Sequence, residues 1–293
     1  MSNGGHSRPE PTVRSRTLGA ELREVRHSTD LQFGALVEAL GVSPGWLSKL
    51  ETGTRQTSVL NIARLLGFYR VDTKTFNHVM SLCRDLDEGD LLWRHGTGGV
   101  DEVPVLLRHE KAAREIFCYD VAGIPALGQS EDHMRTVFGR SPRLGPESVE
   151  RCVVARKSRQ KVLSAPGLLK CTLVVRELTL RHLGGDREAV WGQLMHLFWL
   201  GNTGKVNVRV IGRDAPSGHW DQFSFTLMHS PEFRPVVHID VTPCSLFLDD
   251  PRETGVYAES VRFLTANAMD AEESQAFIGY LAGQVSASAE LRC

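Results

Sequence analysis

The segment LQFGALVEALGVSPGWLSKLETGTR, residues 31–55, contains two short helical patterns separated by a turn. In the first pattern, from Phe33 to Leu40, apolar residues recur at i, i+3, i+4 and i+7, the spacing of one helix face. Gly41 follows at the position after the helix, where a left-handed backbone conformation favours glycine. The pattern therefore predicts a helix that ends at Leu40 and a tight turn after it.

The second pattern predicts a helix with a well-defined start and a polar outer face. Ser43 is a favourable N-cap residue and Pro44 is favourable at the first helical position. Leu47 and Leu50 face inward, and Gly53 ends the helix. Together the two patterns form a helix-turn-helix, a motif whose second helix, here Ser43 to Thr52, enters the major groove of DNA in DNA-binding proteins.

Three further helical patterns surround this pair. They cover residues 17–27, 58–67 and 72–86. In the second of them we expect Val59 to be buried with Ile62 and Leu66. We therefore predict an all-α five-helix domain over residues 15–88, preceded by a flexible arm at 1–14 and followed by a Gly-rich and acidic linker at 89–109.

The rest of the chain alternates between helical and extended patterns. Helices are expected at 106–120, 147–163 and 186–202, and strands at 171–178, 205–213, 223–229, 235–241 and 245–249. Two helices follow, separated at Asp270, where Asp270 and Glu273 predict a capping box. Helices beside a small sheet indicate an α+β domain over residues 110–290.

Composition and motifs limit the possible function classes. The chain has 293 residues, 41% apolar, with a net charge of −1 and no apolar run of membrane-spanning length. The N-terminus has no signal-peptide pattern, and six cysteines without a CxxC are expected to be reduced in a cytoplasmic protein. No HExxH, GxSxG, GxxxxGK or GxGxxG motif in its required context is present, so we expect no enzyme activity, metal or cofactor. Ser217, His219 and Asp221 alternate in one loop, which favours a structural role over a catalytic triad.

The predicted helix at 147–163 carries five basic residues, Arg151, Arg156, Lys157, Arg159 and Lys161. A solvated helix face is the simpler interpretation. The alternative is a patch that binds an acidic partner protein or DNA phosphates.

The first domain resembles the lambda-repressor-like, or XRE, family of bacterial transcription regulators. The resemblance rests on LGAELREVR, LVEALGVS, WLSKLETGTR and NIARLLG, and it covers about seventy residues. It implies binding of double-stranded DNA. Because one helix-turn-helix unit buries limited area, we expect the protein to bind as a homodimer. The resemblance also implies an ion pair between Glu51 and Arg26 that stabilises the domain.

The same resemblance implies which residues contact DNA. Base contacts fall on the start of the second motif helix and one turn later. The implied residues are Ser43, Pro44, Gly45 and Lys49, with Trp46 and Ser48 nearby. Phosphate contacts fall on Gln32, Thr54, Arg55 and Ser58. Phe33 stands where the family usually has a phosphate-contacting glutamine, and Pro44 and Gly45 stand where polar base-reading residues are common.

The second domain resembles a domain of unknown function that follows XRE domains in many actinobacterial regulators. The carrying segments include GIPALGQSEDHMRTVFG, VRELTLRHLGGDREAVWGQLMHLFWLGN and AEESQAFI. The resemblance implies a cytoplasmic regulator without a cofactor, and a small protein encoded nearby as a further partner. Two hypotheses follow: a transcription regulator whose second domain senses an effector or partner, or an antitoxin-like module that binds a small partner protein and autoregulates its own operon.

Overall fold

A computed structural model describes residues 10–29, 31–55, 57–83, 90–95, 100–218 and 221–290. The chain divides into two units, each described by itself. The first comprises Met1–Leu91 with Phe247–Asp250, and the second comprises Leu92–Leu246 with Pro251–Cys293.

The first unit contains the five predicted helices. They are α1 (Val13–His27), α2 (Phe33–Leu40), α3 (Pro44–Glu51), α4 (Val59–Tyr69) and α5 (Thr73–Leu82). The core takes leucine, isoleucine and valine side chains from all five helices. Gly41 has the left-handed conformation expected after α2, with φ of 64°. Val59 is 47% exposed rather than buried, and Leu65 and Tyr69 are buried in α4 together with Ile62 and Leu66.

Helix α1 begins four residues earlier than the pattern predicted, inside the expected arm. The Thr12 hydroxyl oxygen accepts a hydrogen bond from the Ser15 N–H at 3.2 Å and caps the helix. The first helical N–H, that of Val13, donates to the Asp249 carboxylate at 2.6 Å. This donor would otherwise lack a partner in the first turn of a helix, and a partner 236 residues away leaves no local trace in the sequence.

Two glycines allow α1 to lie close to the end of α3. A Cβ atom on Gly19 would lie 2.6 Å from the carbonyl oxygen of Leu50. A Cβ atom on Gly53 would lie 2.7 Å from the Cα of Arg16, and Gly53 also has φ of 71°. Larger residues at either position would push α3 away from α1.

The second unit is built on a mixed sheet flanked by helices, as expected for an α+β domain. The strands are β1 (Leu91–Arg94), β2 (Glu115–Tyr119), β3 (Lys170–Arg176), β4 (Val206–Ile211), β5 (Phe225–His229), β6 (Val236–Val241) and β7 (Cys244–Leu248), in the spatial order β1-β7-β6-β5-β2-β3-β4. The helices are α6 (Pro104–Ala112), α7 (Glu131–Gly139), α8 (Pro146–Gln160), α9 (Glu177–Arg181), α10 (Arg187–Gly201), α11 (Pro251–Asn267) and α12 (Ala271–Glu290). Strands β2, β3 and β4 are parallel, whereas β5 is antiparallel to both β2 and β6.

The structure also corrects the sequence interpretation at residues 106–120 and 89–109. Residues 106–120 do not form one helix, because α6 ends at Ala112 and residues 115–119 form β2 in the middle of the sheet. The predicted linker at 89–109 contains β1 and the first turns of α6. By contrast, the capping box before α12 is present: the Asp270 N–H donates to Glu273 at 2.9 Å and the Glu273 N–H donates to Asp270 at 2.8 Å.

None of the helices in the described part of the chain combines the length and the apolar character needed to cross a bilayer.

Candidate nucleic-acid interface

The N-terminal end of α3 is fixed by its own residues and is open to solvent. The Ser43 hydroxyl oxygen accepts a hydrogen bond from the Trp46 N–H at 3.1 Å, and Pro44 occupies the first turn. Ser43, Pro44 and Gly45 are exposed. This capping fixes the direction of the helix without a bulky side chain at its tip, so another molecule can approach the backbone closely.

The two sides of α3 differ sharply in exposure. Leu47 and Leu50 are buried in the domain core. Ser48 and Lys49 are exposed, and Trp46 is half-buried at the border between the two sides. The structure thus brings the predicted base-contacting residues onto one solvent-facing side of α3.

The turn after α3 is closed by hydrogen bonds to one carbonyl group. The Lys49 carbonyl oxygen accepts from the Thr54 hydroxyl at 3.1 Å and from the Arg55 N–H at 3.1 Å. The Thr52 hydroxyl donates to the same oxygen at 3.1 Å. The exposed Arg55 side chain therefore projects from an ordered turn.

Gln32 and Ser58 occupy equivalent positions, as the N-cap residues of α2 and α4. Gln32 is the exposed N-cap residue of α2, and its side chain makes no capping hydrogen bond. Ser58 caps α4 by accepting the Asn61 N–H at 3.3 Å, which leaves its hydroxyl proton available. Both helix starts carry the partial positive charge that favours phosphate groups.

The structure brings Arg26 and Glu51 together in a bidentate pair that joins α1 to α3. The Arg26 Nε and Nη2 atoms lie 2.6 and 2.9 Å from the two carboxylate oxygens of Glu51. Hydrogen bonding to Glu51 raises the pKa of Arg26. The Arg26 guanidinium also lies 5.2 Å from the ring centre of Phe33, which gives the unusual aromatic residue at this position a structural role.

The five basic residues of the 147–163 segment do not form one surface patch. Arg156 and Arg159 are buried and belong to an ion cluster that we call the α8 ion cluster, made of Asp101, Glu110, Arg156 and Arg159. The solvated-face interpretation and the partner-binding interpretation are therefore both wrong for these two arginines. Their acidic partners are 49 to 58 residues away in the chain, so the helix sequence alone could not reveal them.

Arg151, Lys157 and Lys161 remain on the surface. Arg151 donates to the Ser148 hydroxyl at 2.8 Å and Lys157 pairs with Glu131. Two of the three exposed basic side chains thus have local partners, which is typical of a solvated helix face.

In the loop that contains Ser217 and Asp221, the Asp221 side chain is engaged in contacts that hold the loop in place. Asp221 is buried, pairs with Arg176 and accepts the Gly218 N–H at 3.1 Å. The Tyr119 hydroxyl donates to the Asp221 carbonyl oxygen at 2.8 Å. His219 lies outside the described residues. Among the residues that are described, no group of three or more histidine, cysteine or acidic side chains could hold a metal ion.

Comparison with known proteins identifies both parts of the chain. Residues 17–78 match a family of helix-turn-helix domains, and residues 103–279 match the family described as a domain of unknown function, DUF5753. No curated protein matches the chain. A solved structure of the clp gene regulator ClgR from C. glutamicum is 31% identical over 26% of this chain and 97% of that chain, with a TM-score of 0.22. Since the match at 103–279 covers more than half of the chain, the protein belongs to the DUF5753 family and carries a helix-turn-helix domain at its N-terminus.

Proposed function

We propose that the protein is a cytoplasmic, sequence-specific DNA-binding transcription regulator of the XRE type, as found in actinobacteria. In this proposal α3 lies in the major groove and the C-terminal domain responds to an effector or partner. The chain acts without a cofactor and has no enzymatic activity.

The observation that carries the proposal is the solvent-facing side of α3. Lys49 is exposed and forms no ion pair with a described residue, so its ammonium group is free to donate to guanine O6 and N7. Pro44 and Gly45 leave the helix tip small, which lets the backbone approach the base edges. Trp46 lies beside them, where its ring is suited to contact a thymine methyl or the sugar-phosphate backbone.

Phosphate contacts would set the position of α3 on the duplex. Arg55 and Thr54 follow α3, while Gln32 and Ser58 stand at the starts of α2 and α4. Contacts of this kind fix register and orientation but carry no sequence information. Replacing Arg55 by alanine should therefore weaken binding to all sequences by a similar factor and reduce the salt dependence.

One copy of α3 reads only a few base pairs, so we propose that the protein binds as a homodimer. Two recognition helices would contact half-sites about 34 Å apart along the duplex, which is one helical turn. The operator is then expected to be an inverted repeat.

The test is enrichment of genomic fragments on the full-length protein, followed by sequencing. We expect wild-type protein to enrich a short inverted repeat and Lys49→Ala to lose this enrichment. Lys74→Ala is the matched control, because Lys74 is also exposed in the same domain but lies on α5. Enrichment of the same repeat by Lys49→Ala at wild-type level would contradict the assigned role of α3.

An antitoxin-like interaction module is the second candidate. Trp191 and Trp199 on α10 are 44% and 64% exposed, and exposed aromatic side chains are common where another protein binds. Co-purification of a small protein encoded nearby, lost on Trp199→Ala, would support this candidate. Retention of full DNA binding in that variant would separate the two activities.

A further inference from the structure

The C-terminal domain contains a cavity of about 780 Å³. It lies beyond the carboxyl ends of the parallel strands β2 and β3, where Asp120 and Arg176 line it, and it extends to α7 and to the segment after α9. The crevice at the carboxyl ends of parallel strands is the usual ligand position in open α/β sheets. The volume falls within the range of small-molecule sites, about 300–1,000 Å³.

Arg140 supplies an uncompensated positive charge at this cavity. Its side chain is exposed, and its guanidinium forms no hydrogen bond or ion pair with any residue that the structure describes. Arg176, by contrast, is already paired with Asp221 and donates to the Tyr119 hydroxyl at 2.9 Å. Arg140 is therefore the cation available to a ligand.

The acidic residue of the cavity is already occupied by hydrogen-bond donors. Asp120 Oδ1 accepts from the N–H groups of Ala122 at 3.0 Å and Gly123 at 2.9 Å. The Ser224 hydroxyl donates to the same oxygen at 3.2 Å. These neutral donors hold Asp120 Oδ1 in its own loop and leave its negative charge in place, so Arg140 remains the cation available to a ligand.

His133 provides a second group with an unmet bonding capacity. It lines the cavity and is only 5% exposed, and its Nδ1 atom has no hydrogen-bond partner among the described residues. Burial, together with the nearby Arg140 and Arg156, lowers its pKa to about 4, so the ring is neutral at physiological pH. Buried polar groups in proteins are almost always paired, so Nδ1 has an unmet bonding capacity. The atom itself is fully buried, so a ligand in the cavity reaches it only after the imidazole ring turns.

Aliphatic side chains border the same cavity. Val137 is 40% exposed and Leu178 is 59% exposed, and both line it. Exposed apolar side chains beside a charged group form the surface that an amphipathic ligand would cover.

We propose that this cavity binds a small organic carboxylate with an aliphatic body. The carboxylate pairs with the planar guanidinium of Arg140, whose geometry matches it, and the His133 ring turns to form a hydrogen bond to the ligand. The aliphatic part covers Val137 and Leu178. The effector role of such a ligand rests on the regulatory function proposed above. The binding of the ligand to this cavity does not depend on that function.

Calorimetric titration of the full-length protein tests the site with three probes of equal chain length. Octanoate is expected to bind more tightly than 1-octanol and octylammonium. Arg140→Ala should weaken octanoate binding about tenfold, the loss of about one charge-assisted hydrogen bond, and leave 1-octanol binding unchanged. Arg143→Ala is the matched control, an exposed arginine three positions away that does not line the cavity.

A second variant separates a ligand contact from a structural role. His133→Phe should weaken octanoate binding severalfold without lowering the melting temperature, because Nδ1 has no partner in the described protein to lose. The site is refuted if octanoate fails to bind at millimolar concentration, if octylammonium binds equally well, or if Arg140→Ala binds like wild type. If octanoate binds the protein but does not change DNA enrichment, only the effector role is refuted. If octanoate does not bind, the ligand site is refuted, and DNA binding through Lys49 is not affected.

Discussion

Replacing Arg159 by methionine tests the α8 ion cluster directly. Arg159 Nε and Nη2 donate to the Glu110 carboxylate at 2.9 and 2.8 Å, and Nη1 donates to Asp101 at 2.9 Å. The side chains of Arg159 and Glu110 are 4% and 2% exposed. Methionine preserves much of the aliphatic volume but removes all of these donors.

The expected cost follows from the partners that remain. Asp101 keeps Arg156, whose Nη2 lies 2.8 Å from its carboxylate, so its charge stays compensated. Glu110 loses its only guanidinium partner within the α8 ion cluster. Breaking a buried ion pair by removing one member costs about 3–5 kcal/mol. For a domain of this size that corresponds to a fall in melting temperature of about 6–20 °C.

The cost should also depend on pH. Burial already raises the pKa of Glu110, and Arg159 opposes this effect. Without Arg159, Glu110 should stay protonated in the folded state. In the unfolded state the same side chain loses its proton above the ordinary glutamate pKa of about 4.3. The free energy of unfolding of the variant should therefore fall further below that of wild type as the pH rises from about 5 to 8.

Urea unfolding followed by circular dichroism measures this loss. Lys161→Met is the matched control, since Lys161 is exposed just after α8, and it should change the free energy of unfolding by less than about 0.5 kcal/mol. Adding Glu110→Met to Arg159→Met should restore most of the stability. A loss below about 1 kcal/mol for Arg159→Met would refute the role given to the α8 ion cluster.

Three further predictions concern other parts of the molecule. Glu51→Gln should lower the free energy of unfolding of the first domain by about 2–4 kcal/mol, because Arg26 loses its ionic partner; thermal unfolding measures this loss. The base preference of the folded variant should stay unchanged in fragment enrichment. Gly53→Ala should lower the melting temperature through a loss of about 1–3 kcal/mol, since alanine is strained at a φ of 71°, and wild-type stability would contradict the close packing. The stability of the second domain should decrease as the pH falls below about 6.5, because burial lowers the pKa of His238 to about 3 and that of His133 to about 4, so the unfolded state binds more protons. Urea midpoints at roughly pH 7 and roughly pH 5 test this, and His133→Phe should reduce the difference.

The helix-turn-helix could be predicted from the sequence because its signals are local. Ser43, Pro44 and Gly41 act on the backbone within a few residues of their own positions, and the structure shows the cap, the first turn and the left-handed residue there. Exposure of Ser48 and Lys49 follows from the helical period once Leu47 and Leu50 are buried. Such features need no knowledge of the rest of the fold.

Strand β2 could not be recognised because its environment is non-local. Ile116 lies opposite Cys171 of β3 on one side and Met228 of β5 on the other. Without these neighbours, the apolar residues after α6 are also compatible with a continued helix. A short apolar run is ambiguous between the two structures, and distant pairing decides between them.

The charge of Arg156 and Arg159 led to a similar error. A basic residue on a helix is usually solvated, and only the position of Asp101 and Glu110 shows that these two face inward. Helix α8 therefore contributes both a buried ionic core and an exposed polar face. The sequence of a single helix cannot assign its charged residues to one or the other when the compensating charges come from elsewhere.

The side chains around α3 fall into two groups: those that already have hydrogen-bond or ion-pair partners within the domain, which we expect to stabilise it, and those that do not, which we expect to contact DNA. Ser43, Thr54 and the Arg26–Glu51 pair are satisfied within the domain, so their loss should first reduce the order of α3. Lys49 and Arg55 make no side-chain hydrogen bond or ion pair with a described residue, although both are exposed on or beside α3. Side chains with unmet capacity can be replaced at little cost to folding, and in the proposed complex they are the ones that DNA would engage. Variants of this second group should therefore lose DNA binding at unchanged melting temperature, whereas variants of the first should lower the melting temperature and lose DNA binding only as the domain unfolds.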